Sequence, residues 1–484
     1  MRTVLKYLFL TCLVASLAMS VYIAFDAEQL LDHRKIEAHI RASLITGLYD
    51  TGQHNPQGTV KPRVLVIVFP QFHQDPLNDY LWGEGFTDWN NLKKAPPKNR
   101  LGFDIPRPLE VEDGGLGFYD YTHLAPRKRQ SELAKQYQID GFVYHHYWFY
   151  DLTHPGPNLH APLEAMLLDG HPDVPFCLHW CAADWSKTWL SETREGIKSP
   201  KNGFLQQQYF PSGNITAIKE HYNWLRRFFH HPNYITVQNQ PVFMVYRMMV
   251  GSYAILRQLR QLAIEDGFPS LYITVGLDRP HPHLTPASVI ARSTQRATDL
   301  GRIPFDLFNK TANYPNPNQW NEGRSFEIPE KQCPSVASAS IANQTLLKSS
   351  VEIPGILVSF DNTPRRPFES AVLWSGEEPS RVIDRFRASL TNALWYESCC
   401  FTKDEPTSPF PDSNPAGWEG WFKQKEHYAA QQDDARFILI NSMNEWAEGM
   451  ALEPSNVFGF SLLEALKESQ TKVKQSQCHP LKSI

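Results

Sequence analysis

VLVIVFP, residues 64–70, is a near-continuous apolar run in a chain of 484 residues. A strand with one face in water alternates apolar and polar residues, whereas an unbroken run fits a parallel strand buried on both faces. Seven more such runs follow: GFVYHHYW (141–148), VPFCLHW (174–180), PVFMVYR (241–247), SLYITVG (270–276), PFDLFN (304–309), PGILVSF (354–360) and RFILINSM (436–443). Apolar residues at helical spacing lie between most of them, over 127–137, 163–168, 215–229, 253–264 and 381–396. Eight strands alternating with helices predict an α/β fold, a single TIM-type (β/α)8 barrel. Residues 310–353 and the proline-rich 403–417 break the alternation and are expected to be long surface loops. The first of them leaves the sixth strand on the side where such barrels carry their active sites.

Ahead of the barrel, residues 7–25 carry no charge and follow Arg2 and Lys6. As a helix this stretch reaches about 28 Å, enough to cross a bilayer. A basic flank stays cytosolic. The expectation is a signal anchor over 1–25 and a single-pass type II membrane protein with its bulk in the lumen of the Golgi or endoplasmic reticulum. The alternative is a cleaved signal peptide, with Ala18 and Ser20 at a small-x-small site, and a secreted product. Residues 26–60 read as a stem, 61–470 as the barrel and 471–484 as a tail. Three Asn-x-Ser/Thr acceptors, Asn214, Asn309 and Asn343, agree with the secretory route. Six cysteines lie beyond the apolar stretch (Cys177, Cys181, Cys333, Cys399, Cys400 and Cys478), enough for up to three disulfides.

Charge is balanced, 47 basic against 51 acidic residues for a net −4, so there is no basic field for a nucleic-acid partner. With 42% hydrophobic and 20% charged residues, the chain is neither a disordered acidic chain nor a multi-span membrane protein. The 13 Trp, 19 Tyr and 28 Phe offer faces that stack on sugars as well as fill cores.

Polar and aromatic residues gather where the strands end. The first strand runs into Gln71 and His73, followed by Trp82, Asp88 and Trp89. The second carries His145 and His146, and the third ends at Trp180 before Asp184 and Trp185. The fourth ends at Arg247, the seventh leads to Asp361 and Arg365, and the eighth runs into Asn444-Glu445-Trp446-Ala447-Glu448-Gly449. A histidine on a strand is more often a satisfied core group than a catalyst. A plain barrel, however, has no need of so many such residues at one rim, so these are expected to bind substrate. Glu445 and Glu448 are three apart; on a helical turn they share a face, with Cβ atoms roughly 5–6 Å apart. Paired carboxylates at that range suit glycosidic chemistry, and crowding raises one pKa so that a proton is held near neutrality. In the competing reading Glu448 caps or salt-bridges and Glu445 alone is functional. There is no glycine-rich phosphate loop, Asp-x-Asp or G-x-S-x-G elbow, and His281-Pro-His283 has no third ligand in view. Neither a metal nor a cofactor is therefore expected.

At these residues the chain resembles the WbsX-type proteins of polysaccharide biosynthesis, whose domain is related to glycoside hydrolase family 99, the endo-α-mannosidases. The resemblance rests on FPQFH (69–73), WGEGFTDW (82–89), GFYD (117–120), IDGFVYHHYWF (139–149), PFCLHW (175–180), QPVFMVYR (240–247), DNTPRR (361–366), NEWAEG (444–449) and LEP (452–454). It implies a (β/α)8 barrel acting on glycans with retention of configuration, Glu445 assisting as a base through the substrate's 2-hydroxyl and Glu448 serving as acid/base. There are two departures. Ala182 and Ala183 stand where the family usually has Asn and Glu, and Asp88 where Glu is usual. The expectation is a glycan-active enzyme of the secretory pathway that cleaves or transfers within a mannose-like oligosaccharide or polysaccharide, held to the membrane by its N-terminal helix. The alternatives are a glycosyltransferase of glycan assembly and a non-catalytic glycan-binding barrel, which Ala182 and Ala183 favour.

Overall fold

The computed structural model describes residues 62–150, 155–186, 204–206, 215–246, 252–276, 307–309, 352–353, 355–366, 371, 373, 378–399 and 436–475. The expected anchor and stem, Asn214, Arg247, His281, His283, Asn343 and the loops over 310–351 and 403–417 lie outside them. Among the described residues no helix is long and apolar enough to cross a membrane.

The fold is mixed α/β, built on a parallel sheet. Its strands are β1 (Arg63–Val68), β2 (Gly141–Phe149), β3 (Phe176–Trp180), β4 (Gln240–Val245), β5 (Tyr272–Gly276), β6 (Leu307–Asn309), β7 (Glu352–Ile353), β8 (Gly355–Leu357) and β9 (Phe437–Asn441). Their order across the ladder is β7-β6-β5-β4-β3-β2-β1-β9-β8, and every pairing along it is parallel. Each of the eight apolar runs supplies a strand. β7 and β8 stand at opposite ends of the ladder, yet only Pro354 separates them in sequence. Asn309, a predicted glycan acceptor at the end of the PFDLFN run, is the last residue of β6, paired in register with Gly276 and Ile353.

The unbroken apolar runs are explained by burial on both faces: Val64–Val68 and Phe437–Ile440 are at most 2% exposed. Gly141 shows how tight the ladder is. A Cβ there would lie 2.9 Å from both Leu65 Cδ2 and Ile235 Cδ1 and 3.0 Å from Pro175 O, so a larger residue opposite Leu65 requires these neighbours to shift.

The helices are α1 (Pro76–Trp82), α2 (Trp89–Lys94), α3 (Leu124–Tyr137), α4 (Ala161–Asp169), α5 (Ile215–Phe229), α6 (Ser252–Glu265), α7 (Pro379–Cys399) and α8 (Ser461–Gln475). α5 buries Ile218, Tyr222, Leu225 and Phe229, spaced at helical periodicity against the sheet. α1 opens with Asp75 accepting from Leu77 N at 3.0 Å and with Pro76 in the first turn, where its missing N–H costs nothing. α8 runs on to Gln475, so the first five residues assigned to a tail at 471 belong to a helix.

The period of two along β2 decides what its residues do. His146 stacks on Trp224 of α5 at 4.5 Å between ring centroids, and Trp148 stacks on His221 at 4.5 Å. Phe142, Tyr144, His146 and Trp148 therefore face the helices. Val143, His145 and Tyr147 face the other way, and His145 meets His179 of β3 at 4.8 Å. Cys177, buried in β3, is a free thiol. The up to three disulfides that six cysteines allow thus fall to at most two.

Candidate active site

The ends of two adjacent strands near the β8 end of the ladder, β1 and β9, bring together the first and last parts of the site. Asn444 fixes their relative position. Its Oδ1 accepts from Phe69 N at 2.8 Å and its Nδ2 donates to Phe69 O at 2.9 Å, as a neighbouring strand's backbone would. Beyond it the chain turns through one turn of 3-10 helix, Trp446–Glu448. The helical turn expected here is thus a 3-10 turn, in which residues i and i+3 eclipse. Glu445, the N-cap of that turn at ψ 69°, and Glu448, its last residue, converge on one guanidinium. The turn closes on Gly449 at φ +66°, where a Cβ would lie 3.0 Å from Asp361 N. Asp361 N donates to Glu448 O at 2.8 Å, joining this turn to the next loop.

That loop carries Arg365. Asp361 accepts from Thr363 N at 2.9 Å and from Asn99 Nδ2 at 3.0 Å, which holds the short helix Thr363–Arg365 in place. Arg365 points its guanidinium into a set of three carboxylates. Nη2 lies 2.6 Å from Asp88 Oδ2 and 2.8 Å from Glu445 Oε1, and Nη1 lies 3.0 Å from Glu448 Oε1. Asn91 Nδ2 donates to Asp88 Oδ1 at 2.7 Å, and Gln71 Nε2 donates to Glu445 Oε2 at 2.9 Å. Asp88 and Glu445 are 1% and 3% exposed in their side chains, whereas Glu448 is 24% exposed. Of the two glutamates, Glu448 is the one that meets solvent.

Three carboxylates share one guanidinium, so full ionisation leaves a net charge of two minus in a nearly closed space. Burial raises the pKa of Glu445 above the usual carboxylate range; Arg365 opposes this, while Glu448 and Asp88 reinforce it. The fixed charge of Arg365 is itself held more firmly, because the carboxylates around it outweigh its own burial. One proton retained in such a cluster is what acid/base work at a glycosidic oxygen requires.

The other predicted residues divide. Asp361 and Asn444 position the site without entering it. Trp185 stands beside Tyr147 at 5.3 Å, and Asp184 precedes it in the same half-buried stretch. Trp82 stacks on Phe86 at 5.6 Å. Five residues expected to bind substrate have other roles. Trp180, fully buried, packs against Phe243 and donates its Nε1 to Trp148 O. Trp89 donates to Tyr119 O at 2.6 Å in the core, and Trp446 donates to Glu453 Oε2 at 2.8 Å. His146 joins His221, Nε2 to Nε2 at 2.9 Å, with Tyr150 OH on His221 Nδ1 at 2.7 Å. His73 holds Pro70 O at 2.7 Å through Nδ1. In each case the strand or turn aims the side chain at a helix or a neighbouring loop instead of the glutamates.

Asn91 and Glu453 have no counterpart among the residues expected in the site, and the partner of Gln71, noted only as lying at the end of the first strand, is not foreseen. Gln71 lies in the FPQFH stretch but meets a carboxylate 374 residues away, a contact that no local signal reveals. Glu453 sits behind the site, accepting from Gln130 Nε2 at 2.6 Å and Trp446 Nε1 at 2.8 Å. Burial raises its pKa to about 7 against the pull of those donors.

Six buried groups give a pH dependence with a definite sign. Burial lowers the pKa of His145, His146, His179 and His221, to about 3 for His146 and His179. Their stabilisation is full above the unfolded value of about 6.5 and is lost as pH falls. Glu445 and Glu453 act oppositely: their raised folded pKa values give stability at low pH that is lost as pH rises. Between about pH 6 and 4.5 the unfolded chain binds a net two protons more at these groups, so stability should fall by about 3 kcal/mol per pH unit. Urea unfolding at pH 6.0 and 5.0 measures this, and equal or greater stability at pH 5.0 contradicts it.

Comparison with known proteins adds the following. The family described as "Glycosyltransferase WbsX" matches residues 64–400 and 402–466. Two curated relatives, both described as uncharacterized protein WxcX, come from two strains of Xanthomonas campestris pv. campestris. They are 24% and 23% identical over 435 residues, which is 86% of this chain and 50% of each relative. The chain thus spans about half the length of the curated relatives it matches. Among solved structures, a glycoside hydrolase-like protein aligns over 86% of this chain and 97% of its own, at 13% identity and a TM-score of 0.45. The GH99 endo-α-mannosidase from Bacteroides thetaiotaomicron aligns over 86% and 99%, at 13% identity and a TM-score of 0.36.

Proposed function

The chain belongs to the WbsX glycosyltransferase family, and on that premise we propose that this carbohydrate-active enzyme cleaves or transfers a glycosidic bond of a mannose-like glycan through Glu445 and Glu448. The observation that carries the proposal is the shared guanidinium of Arg365. It sets two glutamates from one turn side by side, one buried and one reaching solvent. The one proton that the cluster retains passes through Glu448 to the leaving oxygen as the glycosidic bond breaks. Glu445, on the opposite side of the ring, draws the proton of the 2-hydroxyl, whose oxygen assists at the reacting carbon. Water or a sugar hydroxyl then attacks that carbon and gives its proton to Glu448 as the bond from the 2-oxygen breaks, and Glu445 returns its proton to the 2-oxygen, so configuration is retained after two inversions. A sugar hydroxyl in place of water gives transfer, the reading favoured by the family's description.

The scaffold for this chemistry is an eight-stranded barrel. β7 pairs with β6 and β8 with β9, and only Pro354 lies between β7 and β8, which supports reading them as one strand that would close the ladder. Residues 7–25 anchor the chain, and the catalytic part lies in the lumen of the secretory pathway; retention of the full chain in membranes through alkaline carbonate extraction measures that part.

The test is incubation of the full chain, in detergent, with α-linked mannan and N-glycan oligosaccharides, alone and with added acceptor sugars. A shortened or extended glycan of retained configuration is the expected product. No product across the panel, with protein shown to be folded, removes the reading.

A further inference from the structure

On the face of β2 that carries His145 stands a tyrosine hydroxyl that bonds to no described residue. Tyr119, Tyr121, Tyr150, Tyr222 and Tyr234 each place their hydroxyl on a protein partner. Tyr147 makes no hydrogen bond among the described residues, and its side chain is half-buried rather than enclosed. It lies on the face of β2 that looks away from the helices, the face it shares with His145. Its ring is fixed from two sides. Trp185 packs edge-on at 5.3 Å and 77°, and His145 lies at 5.7 Å. The phenol is close enough to Glu445, Arg365 and Asp88 for their charges to act on it.

His145 adds a second observation. It is 3% exposed, it is neutral through burial, and its Nδ1 has no hydrogen-bond partner. Its neighbour His179, fully buried, has neither ring nitrogen paired. Buried polar groups left without partners are uncommon and carry a cost. Here they cluster beside Tyr147, on the same face of β2.

We infer that Tyr147, held edge-on by Trp185 and backed by His145, is a substrate-contacting residue that hydrogen-bonds a hydroxyl of the sugar ring seated at Glu445 and Glu448. The ligand class is a neutral or cationic pyranose. A phosphorylated or carboxylated ring would bring a negative charge to three carboxylates whose guanidinium is already engaged. The inference rests on the two-glutamate reading above and names a specificity contact within it.

The probe is 1-deoxymannojirimycin, a cationic mannose-shaped ring that paired carboxylates should hold, together with its monodeoxy derivatives, followed by calorimetric titration. Tyr147→Phe removes one oxygen that bonds to no protein group, so the fold should be unaffected. The expected result is about a tenfold loss of affinity for the parent ring. One monodeoxy derivative, the one lacking the hydroxyl that Tyr147 reads, should lose affinity for the wild type and lose nothing further for the variant. A merely structural residue would weaken all members of the series equally. Unchanged affinity in Tyr147→Phe, or an equal loss across the series, overturns the inference while leaving the glutamate chemistry intact. Wild-type protein that processes glycans yet does not bind the probe also overturns it. Neither binding nor product, from folded protein, removes the two-glutamate reading and this contact with it.

Discussion

Glu445→Gln is expected to lower turnover by about three orders of magnitude while making the folded protein more stable at pH 8. The two halves of this result have one origin. Gln keeps the shape of Glu and can still accept the hydrogen bond from Gln71 Nε2, which lies 2.9 Å from Glu445 Oε2. What disappears is the titratable proton and the charge. Because burial beside two other carboxylates raises the pKa of Glu445, its ionised form is disfavoured in the native state. That penalty is absent at low pH, where Glu445 is protonated in both folded and unfolded chains, and grows as pH rises. A neutral residue never incurs it. The stability difference between variant and wild type should therefore increase from pH 5 to pH 8, as followed by thermal melting, with activity assayed in parallel on the glycan processed by the wild type. A variant that keeps its rate, or is less stable than the wild type at pH 8, contradicts this account. Gain of stability with loss of activity is the usual signature of a strained functional site.

Arg365→Met should be more damaging to the fold than any other single change in the site. Methionine fills a similar volume, so the variant reports charge rather than cavity. Asp88, Glu445 and Glu448 are left facing one another without their cation at distances that one guanidinium now spans. Removing one partner of a buried ion cluster costs about 3–5 kcal/mol. The loss should shrink as pH is lowered, since protonation relieves the repulsion that Arg365 had cancelled. Arg365→Lys separates charge from geometry. An ammonium restores the positive charge but is a point donor, whereas the fork reaches Asp88 and Glu445 through Nη2 and Glu448 through Nη1. Lysine should recover part of the stability and little of the activity. Chemical denaturation at pH 5 and pH 8 measures both variants, and an Arg365→Met protein as stable as the wild type at pH 8 refutes the central place given to this residue.

Much of the fold could be read in the sequence because strands buried on both faces leave an unbroken apolar record. GFVYHHYW marks β2 to within one residue of its end, and the short β6 was visible through PFDLFN. Helix α1 passed unnoticed although Asp75 and Pro76 are its start signals, since its seven residues are too few to show a period. At the site, the i, i+3 spacing of Glu445 and Glu448 and the presence of Arg365 and Asp88 were legible. The division of roles among the aromatic and histidine residues was not. His145 and His146 are adjacent in sequence, yet one faces inward and the other packs on α5. A period of two makes that choice absolute, and nothing in the residue type announces it. Trp89, Trp180 and Trp446 end near strand termini and still belong to the core, because an indole needs only one partner for its N–H to be comfortable in an interior.

The bond pair between Asn444 and Phe69 joins positions 375 residues apart. Asp88 and Gln71 wait on the early side of that gap, and both glutamates lie on the late side. During synthesis at roughly 5–20 residues per second, the interval is on the order of 20–75 s. Throughout it the nascent chain holds half a site. On the two-glutamate reading, the emerging protein is inert toward glycans until the turn beyond β9 has been translated and docked, and a ribosome that stops short of that turn releases a product with no activity to misplace.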